Sequence, residues 1–275
     1  MPVVISACIL RICQCCTFVM LLIRIIACVL AVFSTIACTA APAPQIAAAS
    51  DLKFALDEIV AVYASETGGV VRTVYGSSGN FRQQIAQGAP FQMFMSADES
   101  YVLALANEGR TMDAGTLYAI GRIVLFAPHG STLKPDPLLK SLSAAVAKGQ
   151  LQKFAIANPE HAPYGRAAKE ALLKAGLWEA LQPRLVLGEN VSQAAQFAVT
   201  AGIQGGIFAY SLALSPQVAA LGTYALIPET DHQPLRQRMV LLKNAGAEAQ
   251  RFYRFLQQPS ARAIFKRFGF GLPGE

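Results

Sequence analysis

The sequence predicts an α/β fold in two lobes, each a mainly parallel sheet flanked by helices, with a cleft between them. Apolar runs of four to seven residues alternate with amphipathic stretches of ten to sixteen, the pattern of strands joined by crossover helices. The alternation falls into two blocks of similar plan, followed by a C-terminal segment able to return to the first. Four of the apolar runs stop at small or neutral residues and pass straight into a helix pattern, which is how strand ends are arranged around a cleft.

Residues 45–49 read as the first strand and 51–65 as a helix with Leu52, Ala55, Leu56, Ile59 and Tyr63 on one face. Strands at 70–75 and 91–95 bracket a helix over 79–87, and a helix over 98–107 follows. Residues 122–127 form a strongly apolar strand that Pro128 ends. The second block reads as strand 153–157, helix 165–175, strand 184–187, helix 191–201 and strand 206–209. Strand-like runs at 223–227 and 238–243 lead into closing helices at 247–257 and 260–268. This divides the chain into a leader at 1–40, a first lobe at 41–121, a second at 122–227 and a return to the first at 228–275.

The first forty residues differ in composition, holding all six cysteines and only two charges, Arg11 and Arg24. Residues 20–40 read as a secretory signal: Arg24 precedes an apolar core at 25–33, and small residues at 38–41 supply a cleavage site. A membrane anchor over 18–37 is the alternative, and Cys38 is a candidate for lipidation. Each reading places the body outside the cytoplasmic membrane, in the periplasm. No cysteine follows Cys38, which excludes a disulfide framework for the body. The remaining 235 residues carry a net charge of +4, with scattered basic residues. That pattern leaves no nucleic-acid footprint.

The four junctions are Ala49-Ser50-Asp51, Gly76-Ser77-Ser78-Gly79-Asn80, Ala162-Pro163-Tyr164-Gly165 and Glu189-Asn190-Val191-Ser192. Such breaks aim unsatisfied backbone N–H groups and the positive end of a helix dipole beyond the sheet edge. Each helix start is worth about half a positive charge, so four converging ones offer about +2 without a lysine or arginine. That suits a dianion. Each junction alone is equally explained as helix capping by Ser, Asp or Asn; the set of four carries the reading.

Catalytic patterns are missing. His129, His161 and His232 are far apart and lack metal-ligand spacing, and a loop hydrogen bond is the expected role of His161. Gly76-Ser77-Ser78-Gly79 does not fit G-x-S-x-G, and no P-loop occurs. The chain is therefore expected to bind and not to catalyse; an exported serine hydrolase acting through Ser78 is the distant alternative.

Several segments resemble the periplasmic molybdate-binding proteins of ABC transporters, which have the type II solute-binding fold. They are 47–52 (AAASDL), 75–80 (YGSSGN), 88–90 (GAP) with 94–98 (FMSAD), 158–165 (NPEHAPYG) and 264–270 (IFKRFGF). The resemblance spans about residues 45–270. It implies capture of molybdate or tungstate, with no further cofactor, and delivery to a membrane permease by a monomer that binds no nucleic acid. Another tetrahedral oxyanion such as sulfate is the alternative cargo. By the same resemblance, Ser50 and Ser78 are hydroxyl and backbone donors and Tyr164 and Val191 backbone donors, with further N–H groups at Asp51 or Leu52. Some family members add a tyrosine hydroxyl from the segment here at 206–211. The aligned position is Ala209, leaving Tyr210 as the candidate. Gln92 stands where the family has aspartate, at a position expected to make a structural hydrogen bond.

Overall fold

Two five-stranded sheets organise the computed structural model, which describes residues 42–275. The signal, anchor and Cys38 readings lie outside the described residues. Among the described residues, no helix is long and apolar enough to cross a membrane. The first sheet contains β1 (Gln45–Ala49), β2 (Arg72–Gly76), β3 (Met93–Ser96), β4 (Thr116–Gly121) and β10 (Leu235–Leu241), in the order β2-β1-β3-β10-β4. The second contains β5 (Ile123–Pro128), β6 (Phe154–Ala157), β7 (Leu185–Gly188), β8 (Gly206–Ala209) and β9 (Gly222–Leu226), in the order β7-β6-β8-β5-β9.

Four strands of each sheet run one way and one is reversed. β1 pairs in parallel with β2 and β3, while β10 is antiparallel to β3 and β4. Likewise β6 is parallel to β7 and β8, and β5 is antiparallel to β8 and β9. The parallel trios are the units joined by crossover helices, which is why the alternation in the sequence exposed them. The reversed strands are those that follow each passage between sheets. One passage occurs between Gly121 and Ile123, and the other between Leu226 and Leu235.

β4 has no counterpart among the expected strands, which resume only at residue 122. The chain changes sheets at Arg122, whose guanidinium lies 2.9 Å from the Glu229 carboxylate on the returning segment. The helix Lys140–Ala147 was also unexpected. Its start is set by Asp136, whose carboxylate accepts from the amides of Leu138, Lys140 and Ser141, and those bonds hold its pKa below the ordinary value despite partial burial.

The first sheet is covered on one face by the helices Lys53–Thr67, Ala247–Phe255 and Pro259–Arg267, around Tyr63, Phe252 and Phe265. On the other face the helices Ser78–Ala86 and Glu99–Asn107 pack Phe81, Phe94 and Leu105. The second sheet forms a core of its own around Phe126, Phe154 and Phe208. Each such side chain, when fully buried, contributes about 1.5–3 kcal/mol. Rigid sheets in turn fix the strand ends on which the site is built.

Candidate functional site

Three of the four junctions begin their helices without a side-chain cap. β1 runs into a 3-10 turn, Ser50–Leu52, before the helix Lys53–Thr67, so the helix expected at residue 51 starts two residues later. Ser77 precedes the helix Ser78–Ala86, and Ala162 precedes Pro163–Lys174, where Pro163 supplies a preset φ at the first position. Only Asn190 caps, its Oδ1 accepting from Gln193 N at 3.1 Å at the start of the helix Val191–Ala198. Among the described residues the amides of Ser78, Tyr164 and Val191 have no acceptor outside their own helices, and amides so near a helix start have none inside it.

These helix starts come from both sheets and meet across a short gap. Ser77 Oγ donates to His161 O (2.5 Å), Gly79 N donates to the same carbonyl (3.0 Å), and Asn80 Nδ2 donates to Glu189 Oε1 (2.6 Å). Ser192 N donates to Ser50 Oγ (3.2 Å), and Ser192 Oγ donates to Ser50 O (2.8 Å). The contact at Gly79 needs glycine, since a Cβ there would lie 2.5 Å from His161 O. Gly165 is similarly forced, because its Cβ would lie 2.3 Å from Ala157 O at the end of β6.

Between the junctions lies a small cavity with room for about one water-sized body and none for an organic solute. Ser50, Asp51, Ser78, Tyr164 and Val191 all line it. Among the described residues no lysine, arginine or histidine does. Both serine hydroxyls already accept a backbone amide: Ser78 Oγ from Ala97 N at 3.0 Å, and Ser50 Oγ from Ser192 N. Their protons remain uncommitted, so each presents itself as a donor. Ser77 differs, because its proton is spent on the His161 carbonyl.

One ionisable group belongs to this wall. Asp51 is 1% exposed. Its Oδ2 accepts from Gln237 Nε2 (2.6 Å) and from Tyr164 OH (2.9 Å), while Oδ1 is buried without a partner. Burial pushes its pKa from 3.8 up to about 6, against the opposing hydrogen bonds from Gln237 and Tyr164 and the nearby amides of residues 51 and 52, which fall short of a hydrogen bond to Oδ1. Tyr118 OH donates to Gln237 Oε1 (2.7 Å), and Ser211 Oγ donates to the Asp51 carbonyl (2.8 Å). Residue 51 thus ties the first sheet to the helices Pro163–Lys174 and Tyr210–Ala213 of the second.

Two of the expected positions lie away from the cavity. Leu52 does not line the cavity; its side chain is fully buried in the core of the first sheet, and its amide approaches the Asp51 carboxylate. Tyr210 also lies off the cavity. β8 ends at the buried Ala209 and Tyr210 opens a helical turn, so its ring packs against Tyr224 (5.6 Å between centroids) and beside Gly269. Gln92 makes the expected structural bond, its Oε1 accepting from Gly246 N at 2.9 Å.

His161 makes the expected loop contact, with Nδ1 3.0 Å from Ser77 Oγ. The Ser77–His161–Glu189 set resembles a hydrolase triad only in composition. Ser77 donates to the His161 carbonyl and not to its ring, and Glu189 is 3.7 Å from Nε2, beyond hydrogen-bond reach. Among the described residues no cluster of three or more His, Cys, Asp or Glu side chains could hold a metal ion.

Two sheets whose strand ends converge on a small, donor-lined cavity define a solute-binding protein of the two-lobed type. The chain belongs to the bacterial extracellular solute-binding protein family, whose model matches residues 44–271. Its relatives include the molybdate-binding protein ModA of Rhodobacter capsulatus, 37% identical over 78% of this chain and 82% of that protein. ModA of Azotobacter vinelandii is 33% identical over 86% of this chain and 93% of its own length. The solved periplasmic molybdate-binding protein of Azotobacter vinelandii superimposes with a TM-score of 0.75 at 30% identity, covering 84% of this chain and 99% of that one.

Proposed function

We propose that this protein captures molybdate, and tungstate with it, outside the cytoplasmic membrane and delivers it as a monomer to the permease of an ABC transporter, catalysing no reaction. The observation that carries this is a cavity whose two hydroxyls each already accept a backbone amide and keep a proton free to donate. Ser50 and Ser78 supply those hydroxyls, and Ser78, Tyr164 and Val191 supply amides. The similarity to molybdate-binding proteins supports the choice of cargo.

The physical logic is selectivity with release. Charge-assisted hydrogen bonds to a dianion are roughly twice as strong as neutral ones, and the four helix starts add about +2 of fixed partial charge. A protonated oxyanion would turn its O–H toward donors and leave that proton unmatched, at a cost of about 1–3 kcal/mol. Without a lysine or arginine in the wall, the site does not hold anions indiscriminately. Closure about the passages near residues 120–125 and 226–233 brings the two halves of the donor set together, and the hydrogen bonds from Ser77 and Ser192 support such a closed form. The first sheet with its returning segment then acts as one lobe, 41–121 with 228–275, against 122–227. A cleaved leader at 1–40 accounts for export.

Calorimetry and thermal unfolding with molybdate, tungstate, sulfate and phosphate test this reading. Molybdate and tungstate are expected to bind one per chain, and a ligand at a thousand times its Kd stabilises the fold by about 4 kcal/mol. No response to either would overturn the reading, and a preference for sulfate would reassign the cargo.

A further inference from the structure

A site read as neutral contains one buried carboxylate, and that is a physical conflict. Asp51 lines the same cavity as Ser50 and Ser78, so an entering dianion meets a second negative charge in a wall shielded from water. Among the described residues its surroundings supply no cation. On the helix Pro163–Lys174 it faces Tyr164, while Arg166 on that helix is engaged by Asp98 and Tyr101. From β10 it faces Gln237, and behind that lies Tyr118 on β4. From the turn after β8 it meets only Ser211, and on its own segment Lys53 is paired with Asp57 at the surface. The helix Val191–Ala198 presents the uncharged Ser192 to this junction, and Glu189 ahead of it is bound by Asn80. Burial holds the hydroxyls of Tyr118 and Tyr164 well above the ordinary tyrosine pKa, so neither gives up its proton to Asp51.

We propose that Asp51 is a positioning residue that takes up one proton from solvent when the anion binds, so that oxyanion capture by this protein is coupled to proton uptake. This rests on the anion reading of the cavity. Oδ2 is already committed to Tyr164 and Gln237, so the proton goes to the unpartnered Oδ1. The acid form removes the repulsion while keeping the bond to Tyr164, whose own amide belongs to the cavity wall. Desolvation has already raised the Asp51 pKa to about 6, and a neighbouring dianion raises it further. Linkage then fixes the sign: affinity rises as pH falls through the range between the free and bound pKa values, by up to about tenfold per pH unit, and levels off below about pH 6.

The test is calorimetry with sodium molybdate between about pH 6 and about pH 8, in buffer pairs of different ionisation enthalpy that report protons taken up per anion bound. Wild type should take up a substantial fraction of one proton near neutral pH. Asp51→Asn, which keeps an acceptor for Tyr164, should take up none, show a flat pH profile and bind more tightly at pH 8. The wild-type proton count needs no variant and decides the matter if Asp51→Asn fails to fold. Binding with no proton uptake by wild type, or a variant whose pH profile matches wild type, overturns the inference and leaves the anion reading standing. Absence of molybdate binding at every pH overturns both.

Discussion

Replacing Ser78 by alanine isolates one donor of the proposed site. Ser78 is 1% exposed, and its oxygen accepts from Ala97 N at 3.0 Å, which leaves its proton for the cavity. A hydrogen bond to a charged partner is worth about 1.5–3 kcal/mol, so Ser78→Ala should weaken molybdate binding by roughly 10- to 150-fold. The same change strips Ala97 N of its acceptor, and a buried unsatisfied amide costs about 1–3 kcal/mol of fold stability. The two effects separate experimentally: calorimetry reads the first, and thermal unfolding without anion reads the second. Ser77→Ala is the internal control one residue away. It removes the bond to the His161 carbonyl across the gap, worth about 0.5–1.5 kcal/mol, so affinity should fall by tenfold or less. If Ser78→Ala binds within about threefold of wild type while Ser77→Ala loses more than tenfold, the assignment of the donor hydroxyl is wrong.

Other expectations follow from the same geometry. Gly79→Ala places a Cβ 2.5 Å from His161 O, and overpacking of this kind costs about 1–3 kcal/mol; calorimetry should show weaker anion binding although no donor is removed, and unchanged affinity would contradict the closed contact. The ionised form of Asp51 is disfavoured by folding, since burial raises its pKa from 3.8 to about 6. The folded state therefore binds more protons between those values, and stability is lost as pH rises through them, by about 3 kcal/mol in all. Asp51→Asn should accordingly melt roughly 5–10 °C above wild type at neutral pH, with the gap closing toward pH 4; a variant less stable at pH 7 would contradict this.

The parallel trios were legible because each strand is a short apolar run bounded by turn residues and followed by a helical period. The junctions were legible for the same reason, and Ser50, Ser78, Tyr164 and Val191 do come together at one cavity. What the sequence hid were contacts with no local signature. Ser192 donating to Ser50 joins residues 142 positions apart, and Gln237 donating to Asp51 joins residues 186 apart. Ser77 and Ser78 are chemically identical neighbours; only the direction of each hydroxyl separates a contact across the gap from a donor into the cavity. Asp51 was read for its amide alone, and nothing in 47–52 reveals that its carboxylate is buried. Gln237, fully buried on the inward face of β10 with Leu235 and Met239, was the one available hint that a polar partner lay opposite. Tyr210 was considered on residue type alone, and nothing in 206–211 reveals that β8 ends at Ala209 and that residue 210 opens a helical turn carrying its ring toward Tyr224.

The central claim is that one oxyanion sits among neutral donors from all four junctions. Diffraction from the protein crystallised with molybdate, using the anomalous signal of the metal, tests it most directly. The account predicts a single strong peak in the cavity, with its oxygens about 2.7–3.0 Å from the Ser50 and Ser78 hydroxyls and the Tyr164 and Val191 amides. A peak elsewhere, or an anion held by a lysine or arginine, would contradict it.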